Sequence, residues 1–197
     1  MTKNVLFFII AICCLSIIIL CIFPTTSFSN YYNGSFSKLG VSSILKKDDV
    51  LLQELTCNLY ELDAIDLRFN TNHNSSKIRV DISGLNEEVF TKIIDNSEIL
   101  NDGFYHIELP HQKNMKGKTI NIKVSYEKYD KKSELRYVFV TDNENEILKL
   151  NDDEELPPLL IGVFGREKDY SSIWYPLMTI SICIALLPLK GGKDGKE

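Results

Sequence analysis

The part of the chain between its two apolar blocks contains very little cysteine. Of the five cysteines, only Cys57 lies outside those blocks, which span Val5–Phe23 and Ile173–Leu189. An internal disulfide is therefore excluded for the middle segment, and a small domain without disulfides depends on its own apolar core. Because Cys57 lies in an apolar-rich run, we expect it to be a small buried hydrophobe.

The chain also lacks an excess of positive charge and the common motifs of nucleophilic enzymes. Its formal net charge is −5. An acidic protein repels phosphate backbones, so nucleic acid is not an expected partner. No Gly-x-Ser-x-Gly motif occurs, and Cys57 has no obvious catalytic partner. We therefore predict that the protein is not an enzyme and has no catalytic residues and no cofactor.

Two apolar blocks predict transmembrane helices near the two ends of the chain. The first, residues 1–23, carries no charge beyond Lys3 and is long enough to cross a hydrocarbon core of about 30 Å. The alternative interpretation of this block is a cleaved signal peptide. In either case the domain that follows is exported. The second block, residues 170–189, contains Trp174 and Tyr175, which are typical of a membrane interface.

The flanking charges predict the orientation of both helices. Lys3 precedes the first helix, and three lysines lie in residues 190–197 after the second. Positive charge favours the cytoplasmic side of a membrane helix. We therefore predict a two-pass protein of the cell membrane, with the lipid bilayer as a partner. Both termini, including the tail 190–197, lie in the cytoplasm, and the middle domain lies outside it.

Alternation of apolar and polar residues predicts an all-β domain, an antiparallel β-sandwich over residues 50–142. Period-two alternation is typical of half-buried strands. It recurs in five runs: Ile65–Asn70, Lys77–Ile82, Tyr105–Leu109, Thr119–Val124 and Leu135–Val140. Val50–Cys57 and Glu88–Ile94 are weaker candidates. Short strands separated by turn residues favour an immunoglobulin or jelly-roll type. Residues 24–49 and the acidic segment 143–169 are predicted to be linkers.

The order of motifs in residues 50–125 resembles a known extracytoplasmic module. Leu62–Thr71 contains an Ile-x-Leu-Arg-x-x-Thr strand, followed by Asp102-Gly103-Phe104-Tyr105 and then by Lys116-Gly117-Lys118. This order is similar to that of the jelly-roll, carbohydrate-binding-like modules found in prokaryotic membrane proteins linked to surface-polysaccharide synthesis. The resemblance implies a jelly-roll fold and a role with cell-surface glycan.

Aromatic and charged side chains of the middle domain are the candidates for a binding site. Glycans are usually bound by an aromatic ring against the apolar face of a sugar, with polar groups around it. Tyr126, Tyr129 and the pair Tyr31-Tyr32 are candidate rings, although Tyr126 is in phase with core positions and the pair also suits an interfacial anchor. Asp66 and Arg68 belong to an outward charged set, which a solvated sheet face also explains.

Three functions fit the sequence. The first is a non-enzymatic binding or assembly module for a cell-envelope glycan or a partner membrane protein. The second is a metal-assisted envelope hydrolase, in which His106, Glu108 and His111 would supply the ligands that zinc requires. A solvated strand face explains the same three residues. The third is a structural membrane protein whose sandwich only packs. We take the first as the prediction and assign no metal site.

Overall fold

The computed structural model describes residues 3–42, 44–72, 75–85, 89–99, 103–143, 146, 148–151 and 154–186. The elements in these residues are α1 (Lys3–Ile22), β1 (Thr25–Tyr32), β2 (Leu39–Val41), β3 (Val50–Thr56), β4 (Glu61–Asn70), β5 (Lys77–Ser83), β6 (Phe90–Asp95), β7 (Phe104–Lys113), β8 (Thr119–Lys128), β9 (Arg136–Val140), β10 (Leu148–Leu150), β11 (Glu154–Leu156), β12 (Ile161–Asp169) and α2 (Trp174–Leu186). The chain divides into two compact units, one of residues 28–167 and one that takes in both helices.

The strands form two antiparallel sheets, consistent with a β-sandwich. The first sheet has the order β1-β12-β4-β9-β2, with β7 paired to the other side of β4. The second sheet has the order β11-β10-β3-β8-β5-β6. Strands β4 and β8 are therefore the central strands, since each pairs along most of its length with a neighbour on both sides.

The core lies where alternate residues of the two sheets face each other. Strand β5 alternates buried and accessible residues along its length, and β8 does the same over its first half. The inward positions are almost entirely aliphatic: Leu51, Leu55, Leu62, Ile65, Leu67, Phe69, Ile78, Val80, Ile82, Ile107, Ile120, Ile122, Val124, Ile161 and Val163. Burying a side chain of this size contributes roughly 1.5–3 kcal/mol, so this layer is the main stabilising feature. Cys57 is fully buried within it, as its sequence context predicts.

The period-two runs of the sequence all fall in strands. The five stronger runs fall in β4, β5, β7, β8 and β9, and the two weaker ones in β3 and, from Phe90 onward, in β6. The all-β prediction is confirmed at the level of two antiparallel sheets. The strands also extend beyond residues 50–142 on both sides.

The segments predicted as linkers contain five of the strands. Strands β1 and β2 lie within residues 24–49, and β10, β11 and β12 lie within residues 143–169. These segments form strands because they hydrogen-bond to neighbouring strands, and not because apolar and polar residues alternate in them. Strand β12 runs antiparallel to β4 along six residue pairs, and β10 pairs with β3. The sandwich therefore takes in residues on both sides of the predicted boundaries.

The two helices belong to the second unit and pack against each other. Helix α1 is long and apolar enough over Asn4–Ile22 to cross a membrane. The shorter apolar helical stretch Ser171–Leu186 is the second candidate, and the last residues of its predicted span, 187–189, lie outside the described residues, as does the tail 190–197. Among the described residues, α1 is thus the one helix that meets the length and composition of a membrane span.

Candidate functional site

The outward face of the first sheet carries the candidate site. In β4 the apolar residues Ile65 and Leu67 point into the core, so the residues that alternate with them, Asp66 and Arg68, point outward. Side chains of residues in register on adjacent strands share a face of the sheet. The outward neighbours of Asp66 and Arg68 on β7 are therefore His106 and Phe104. On β12, Gly162 lies opposite Asp66, and Phe164 opposite Ala64.

Four aromatic rings meet on this face. The Tyr32 ring centroid lies 5.4 Å from that of Phe104 and 6.1 Å from that of Phe164. Phe36 lies 4.9 Å from Tyr32 and 5.9 Å from Phe104. The His106 ring lies 5.6 Å from Phe164. We call Tyr32, Phe36, Phe104, Phe164 and His106 the aromatic face. The residue Phe36 and the side chain of His106 are each 52 % exposed.

Gly162 allows the Tyr32 ring to approach the sheet closely. A Cβ atom at position 162 would lie 2.6 Å from Tyr32 Cε1 and 3.1 Å from Asp66 Cβ. Both separations are shorter than ordinary carbon–carbon contacts, so a side chain at this position would displace the ring. A glycine at the centre of a strand usually marks such a close approach. Here it brings the aromatic ring of β1 over the centre of the sheet, beside Asp66.

Polar groups lie between and beside the rings. Asp66 Oδ1 is 2.5 Å from His106 Nδ1, and the Asp66 side chain is 11 % exposed. The Arg68 guanidinium lies over the Phe104 ring at 5.5 Å, a cation–π arrangement. Partial burial, together with the negative charge of Asp66, raises the pKa of Tyr32 further above physiological pH. Because His106 Nδ1 is taken by Asp66, the Nε2 atom is the one available to a ligand.

A second polar cluster lies at the start of β4. His111 Nδ1 is 2.7 Å from Asp63 Oδ1, and His111 Nε2 is 3.7 Å from Glu61 Oε2. Arg166 Nη1 approaches the same Glu61 oxygen at 3.8 Å. These polar contacts join β4, β7 and β12 where the sheet is irregular.

The three residues of the alternative metal site, His106, Glu108 and His111, do not assemble. His106 is bound to Asp66 and His111 to Asp63, so the two histidines engage different carboxylates. In the described part of the chain, which includes both histidines and Glu108, no group of three or more His, Cys, Asp or Glu side chains is placed to hold a metal ion. The metal-assisted hydrolase therefore gains no support from this geometry.

The outward face of the second sheet is very different. Arg79 there binds Asp81 at 3.0 Å, and Asp81 also accepts a hydrogen bond of 2.6 Å from Thr91. Lys77 pairs with Asp95 at 3.1 Å. This is the ordinary solvated face of an antiparallel sandwich, with charged side chains paired to one another. The concentration of rings on the first sheet is therefore a local feature and not a property of the whole surface.

A cleft of about 530 Å³ lies elsewhere in the sandwich domain, beside β2, β9 and β11. Two of its polar side chains are used by the chain itself. Asp49 accepts a hydrogen bond from the Lys46 amide, and Asn151 accepts one from the Val50 amide, each at 2.8 Å. The first bond stabilises a local turn, and the second joins the start of β3 to the residue after β10. We therefore place the candidate site on the aromatic face and not in the cleft.

The sequence-predicted site residues fall in three places. Asp66 and Arg68 lie against the aromatic face, Asp66 at His106 and Arg68 over Phe104. Tyr126 and Tyr129 form a separate ring pair, 5.1 Å apart, at the end of β8, where Tyr126 exchanges a hydrogen bond of 2.9 Å with Ser133. Trp174 and Tyr175 lie at the start of α2 and are exposed.

Sequence reasoning missed Phe36, Phe104 and Phe164 as site residues. Phe104 is the first residue of β7, and the other two lie in segments predicted as linkers. Tyr32 was a candidate through the Tyr31-Tyr32 pair, but its partner points elsewhere: the Tyr31 hydroxyl donates to the Thr56 carbonyl, and burial raises the pKa of this phenol well above its ordinary value. A phenylalanine at an outward strand position is the signal that would have found Phe104.

Comparisons with known proteins place the chain in no family. No family model and no curated protein matches the sequence. Among solved structures, a family two carbohydrate esterase from Cellvibrio japonicus aligns with a TM-score of 0.29 and 8 % identity, over 72 % of this chain and 34 % of the esterase. The chain thus spans about a third of the length of that enzyme.

Two further solved structures align no better. The infectious bursal disease virus Gx strain structure gives a TM-score of 0.29 and 10 % identity, over 82 % of this chain and 49 % of that one. The D1-D2-D3 domains of the flagellar cap protein FliD from Escherichia coli give 0.22 and 12 %, over 94 % of this chain and 72 % of that one. Similarities this low support no conclusion about function. Any inference about function therefore rests on the geometry of the chain itself.

Proposed function

We propose that the chain is a membrane-anchored, non-enzymatic protein whose β-sandwich lies outside the cytoplasm and binds a cell-envelope glycan through the aromatic face. The observation that carries the proposal is the meeting of four aromatic rings with Asp66, His106 and Arg68 on one outward sheet face. A sugar ring presents C–H groups on its faces and hydroxyl groups around its edge. A surface that combines aromatic rings with hydrogen-bonding side chains complements both features.

The membrane anchor is supported by hydrogen bonds that satisfy polar side chains within both helices. The hydroxyls of Ser16, Thr179 and Ser181 each donate to the backbone carbonyl four residues earlier, at 2.9–3.0 Å. In hydrocarbon, polar groups have to be satisfied internally, and such bonds do so. Apolar side chains on both helices, such as Phe8 and Met178, are exposed. We propose that both helices span the bilayer, with the termini in the cytoplasm.

The exposed aromatic side chains at the start of α2 suit that arrangement. Trp174 and Tyr175 are 64 % and 78 % exposed. Such amphipathic rings prefer the level of the lipid headgroups. Their position directly after β12 fits a boundary between a water-exposed sandwich and a membrane-inserted helix, since β12 ends at Asp169.

The non-enzymatic part of the proposal is supported by the state of the potential nucleophile. The Cys57 side chain is fully buried, and burial raises the pKa of its thiol. The thiolate is the reactive form of cysteine, so both effects oppose its use as a nucleophile.

A glycan array tests the proposal. The full-length chain in lipid nanodiscs is applied to immobilised cell-envelope polysaccharides, together with Phe104→Ala and, as the matched aromatic control, Tyr129→Ala. We expect glycan binding that Phe104→Ala weakens about three- to tenfold, in line with the loss of one aromatic contact. The control variant should bind like the wild type.

Two outcomes would contradict this assignment. Loss of binding in Tyr129→Ala alone would place the site at the Tyr126–Tyr129 pair. Absence of any glycan binding, with cross-linking in intact cells from the aromatic face to a membrane protein, would make the face a protein interface.

A further inference from the structure

The Glu61 side chain has a buried carboxylate oxygen that forms no hydrogen bond within the described residues. This side chain is 10 % exposed, and no described group donates to its Oε2 atom. His111 Nε2 at 3.7 Å and Arg166 Nη1 at 3.8 Å are both too far away to do so. Buried polar atoms are almost always hydrogen-bonded, because an unsatisfied one is destabilising. Glu61 Oε2 is therefore able to accept a hydrogen bond from a ligand.

The side chains around this oxygen are open to solvent. His111 lies on β7 and Arg166 on β12, which are the neighbours of β4 on its two sides, and both residues are exposed. Glu61, on β4 between them, forms the floor of a shallow polar site. We call Glu61, Asp63, His111 and Arg166 the Glu61 cluster.

The Glu61 cluster offers both acceptors and a donor. An ionised aspartate only accepts hydrogen bonds, so in the contact of 2.7 Å between His111 Nδ1 and Asp63 Oδ1 the imidazole is the donor. In the neutral imidazole, Nε2 is then a second acceptor near Glu61 Oε2, whereas Arg166 only donates. A hydroxyl group donates and accepts at once, so it complements such a set. A carboxylate only accepts, and an ammonium group only donates.

The charges of the cluster also favour a neutral ligand group. An anion near Glu61 Oε2 would be repelled by the carboxylate, and a cation would be repelled by Arg166. Asp63 adds one negative charge, and Lys113, which is in register with Glu61 on β7, adds one positive charge. With His111 neutral, the charges of these side chains cancel, so the cluster selects neither sign.

The Glu61 cluster borders the aromatic face. Phe164 and Arg166 are two residues apart on β12, so their side chains share the outward face and lie roughly 7 Å apart along the strand. Resting on the proposed function, we infer that the Glu61 cluster binds one hydroxyl group of a neutral sugar held at the aromatic face. The sugars that the site accepts are then those that place a hydroxyl group at Glu61 Oε2.

A set of monodeoxy sugars tests this inference. The full-length chain in nanodiscs is titrated with the methyl glycosides of glucose, galactose, mannose and N-acetylglucosamine. The one that binds most tightly is then compared with its monodeoxy derivatives, each of which lacks one hydroxyl group. We expect at least one derivative to bind about ten- to a hundredfold more weakly than its parent, because Glu61 loses a charge-assisted hydrogen bond.

Substitutions in the cluster connect this penalty to Glu61. In Glu61→Gln and in Arg166→Gln the penalty should fall to about threefold, and binding of the array polysaccharide should weaken. Glu127→Gln is the matched control, since Glu127 Oε2 also lies 3.8 Å from an arginine Nη1 atom, that of Arg79, but on the second sheet. This control should keep the full penalty. Urea unfolding reports whether each variant folds, and Arg166→Gln, at an exposed position, decides if Glu61→Gln does not.

The outcomes separate the inference from the function on which it rests. Equal binding of every monodeoxy derivative would overturn the hydroxyl subsite while glycan binding stands. A penalty that persists unchanged in both cluster variants would overturn it as well. If only the array polysaccharide binds, unchanged binding in both variants would do the same. Failure of every glycoside and polysaccharide to bind would overturn both the subsite and the proposed function.

Discussion

At the scale of single residues, Gly162 determines where the Tyr32 ring lies. In Gly162→Ala the new Cβ would lie 2.6 Å from Tyr32 Cε1, so the ring has to move off the sheet. We expect a free energy of unfolding within about 1 kcal/mol of the wild type, because the displaced atom ends a flexible side chain. Glycan binding should weaken about as much as in Phe104→Ala. Denaturant unfolding and array binding measure the two effects.

Gly40→Ala is the matched control for that substitution. Its Cβ would also meet an aromatic ring of the first sheet, at 2.3 Å from Phe139 Cζ, but this ring is outside the aromatic face. Glycan binding should therefore be unchanged. Equal weakening in both variants would mean that a general disturbance of the sheet, and not the position of Tyr32, controls binding.

Glu146 joins three distant segments through one carboxylate. Its Oε2 atom accepts hydrogen bonds from Asn33 Nδ2 at 2.7 Å and from Gln53 Nε2 at 3.0 Å. Asn33 Nδ2 also donates to the Leu159 carbonyl. Burial raises the pKa of Glu146, while hydrogen bonds from Asn33, Gln53 and Asn143 oppose the rise.

The raised pKa of Glu146 predicts a pH dependence of stability. A carboxyl group with a higher pKa in the folded chain holds its proton more tightly there than when unfolded. Its contribution to stability is therefore lost as the pH rises from the unfolded value through the folded one. In Glu146→Gln the amide oxygen can accept the two bonds from Asn33 and Gln53 without this loss. We expect the variant to gain stability relative to the wild type as the pH rises from about 4, near the ordinary value of a glutamate carboxyl, towards neutral pH.

Urea unfolding of both full-length proteins across this range measures the effect. Parallel stability profiles for the two would show that Glu146 ionises equally easily in the folded and unfolded chains. Glutamine has nearly the same shape as glutamate. The comparison therefore measures the effect of the charge, with little change in packing.

At the scale of elements, the β-bulge between Phe164 and Gly165 depends on a glycine. The register of β12 against β4 shifts at this point, and a Cβ at position 165 would lie 1.9 Å from the Glu61 carbonyl oxygen. That atom belongs to the backbone, so Gly165→Ala has to push two strands apart. We expect a loss of about 3 kcal/mol in the free energy of unfolding, measured by urea titration.

Gly117→Ala provides the comparison for the bulge. Gly117 lies in the turn before β8 with φ +81°, and a Cβ there meets nothing within 4 Å. The cost is then only that of a left-handed backbone, about 1 kcal/mol. If Gly165→Ala were as stable as Gly117→Ala, the bulge would accommodate the added Cβ without separation of β4 and β12.

Prediction of the elements succeeded where burial alternates and failed where it does not. Strands β5 and β8 carry aliphatic residues at every second position, so the sequence alone indicates that they are strands. Strand β1 is mostly exposed, and β10 and β11 have three residues each. Short or exposed strands depend on their neighbours for hydrogen bonds and leave no periodic signal. The jelly-roll type remains a prediction.

At the scale of the whole molecule, the cysteine pattern allows a test of topology. Four cysteines lie in the apolar blocks, and Cys57 is fully buried. Lys128→Cys adds a thiol at an exposed site of the sandwich. A membrane-impermeant maleimide should label this variant in intact cells, and the wild type should give only background. Thr2→Cys, near the amino terminus, should react only after the cells are opened. The reverse pattern would invert the proposed orientation.

The sequence by itself determined the local features of this protein. The charge-free run after Lys3 specifies an apolar helix, and the period-two runs specify half-buried strands, because both depend on residues a few positions apart. The single cysteine of the middle segment excludes an internal disulfide. Only the tertiary structure determined which rings come together in the aromatic face. Tyr32, Phe104 and Phe164 come from β1, β7 and β12 and meet because those strands belong to one sheet around β4. Their proximity depends on strand order and register, which are set by long-range hydrogen bonding and core packing and leave no local pattern.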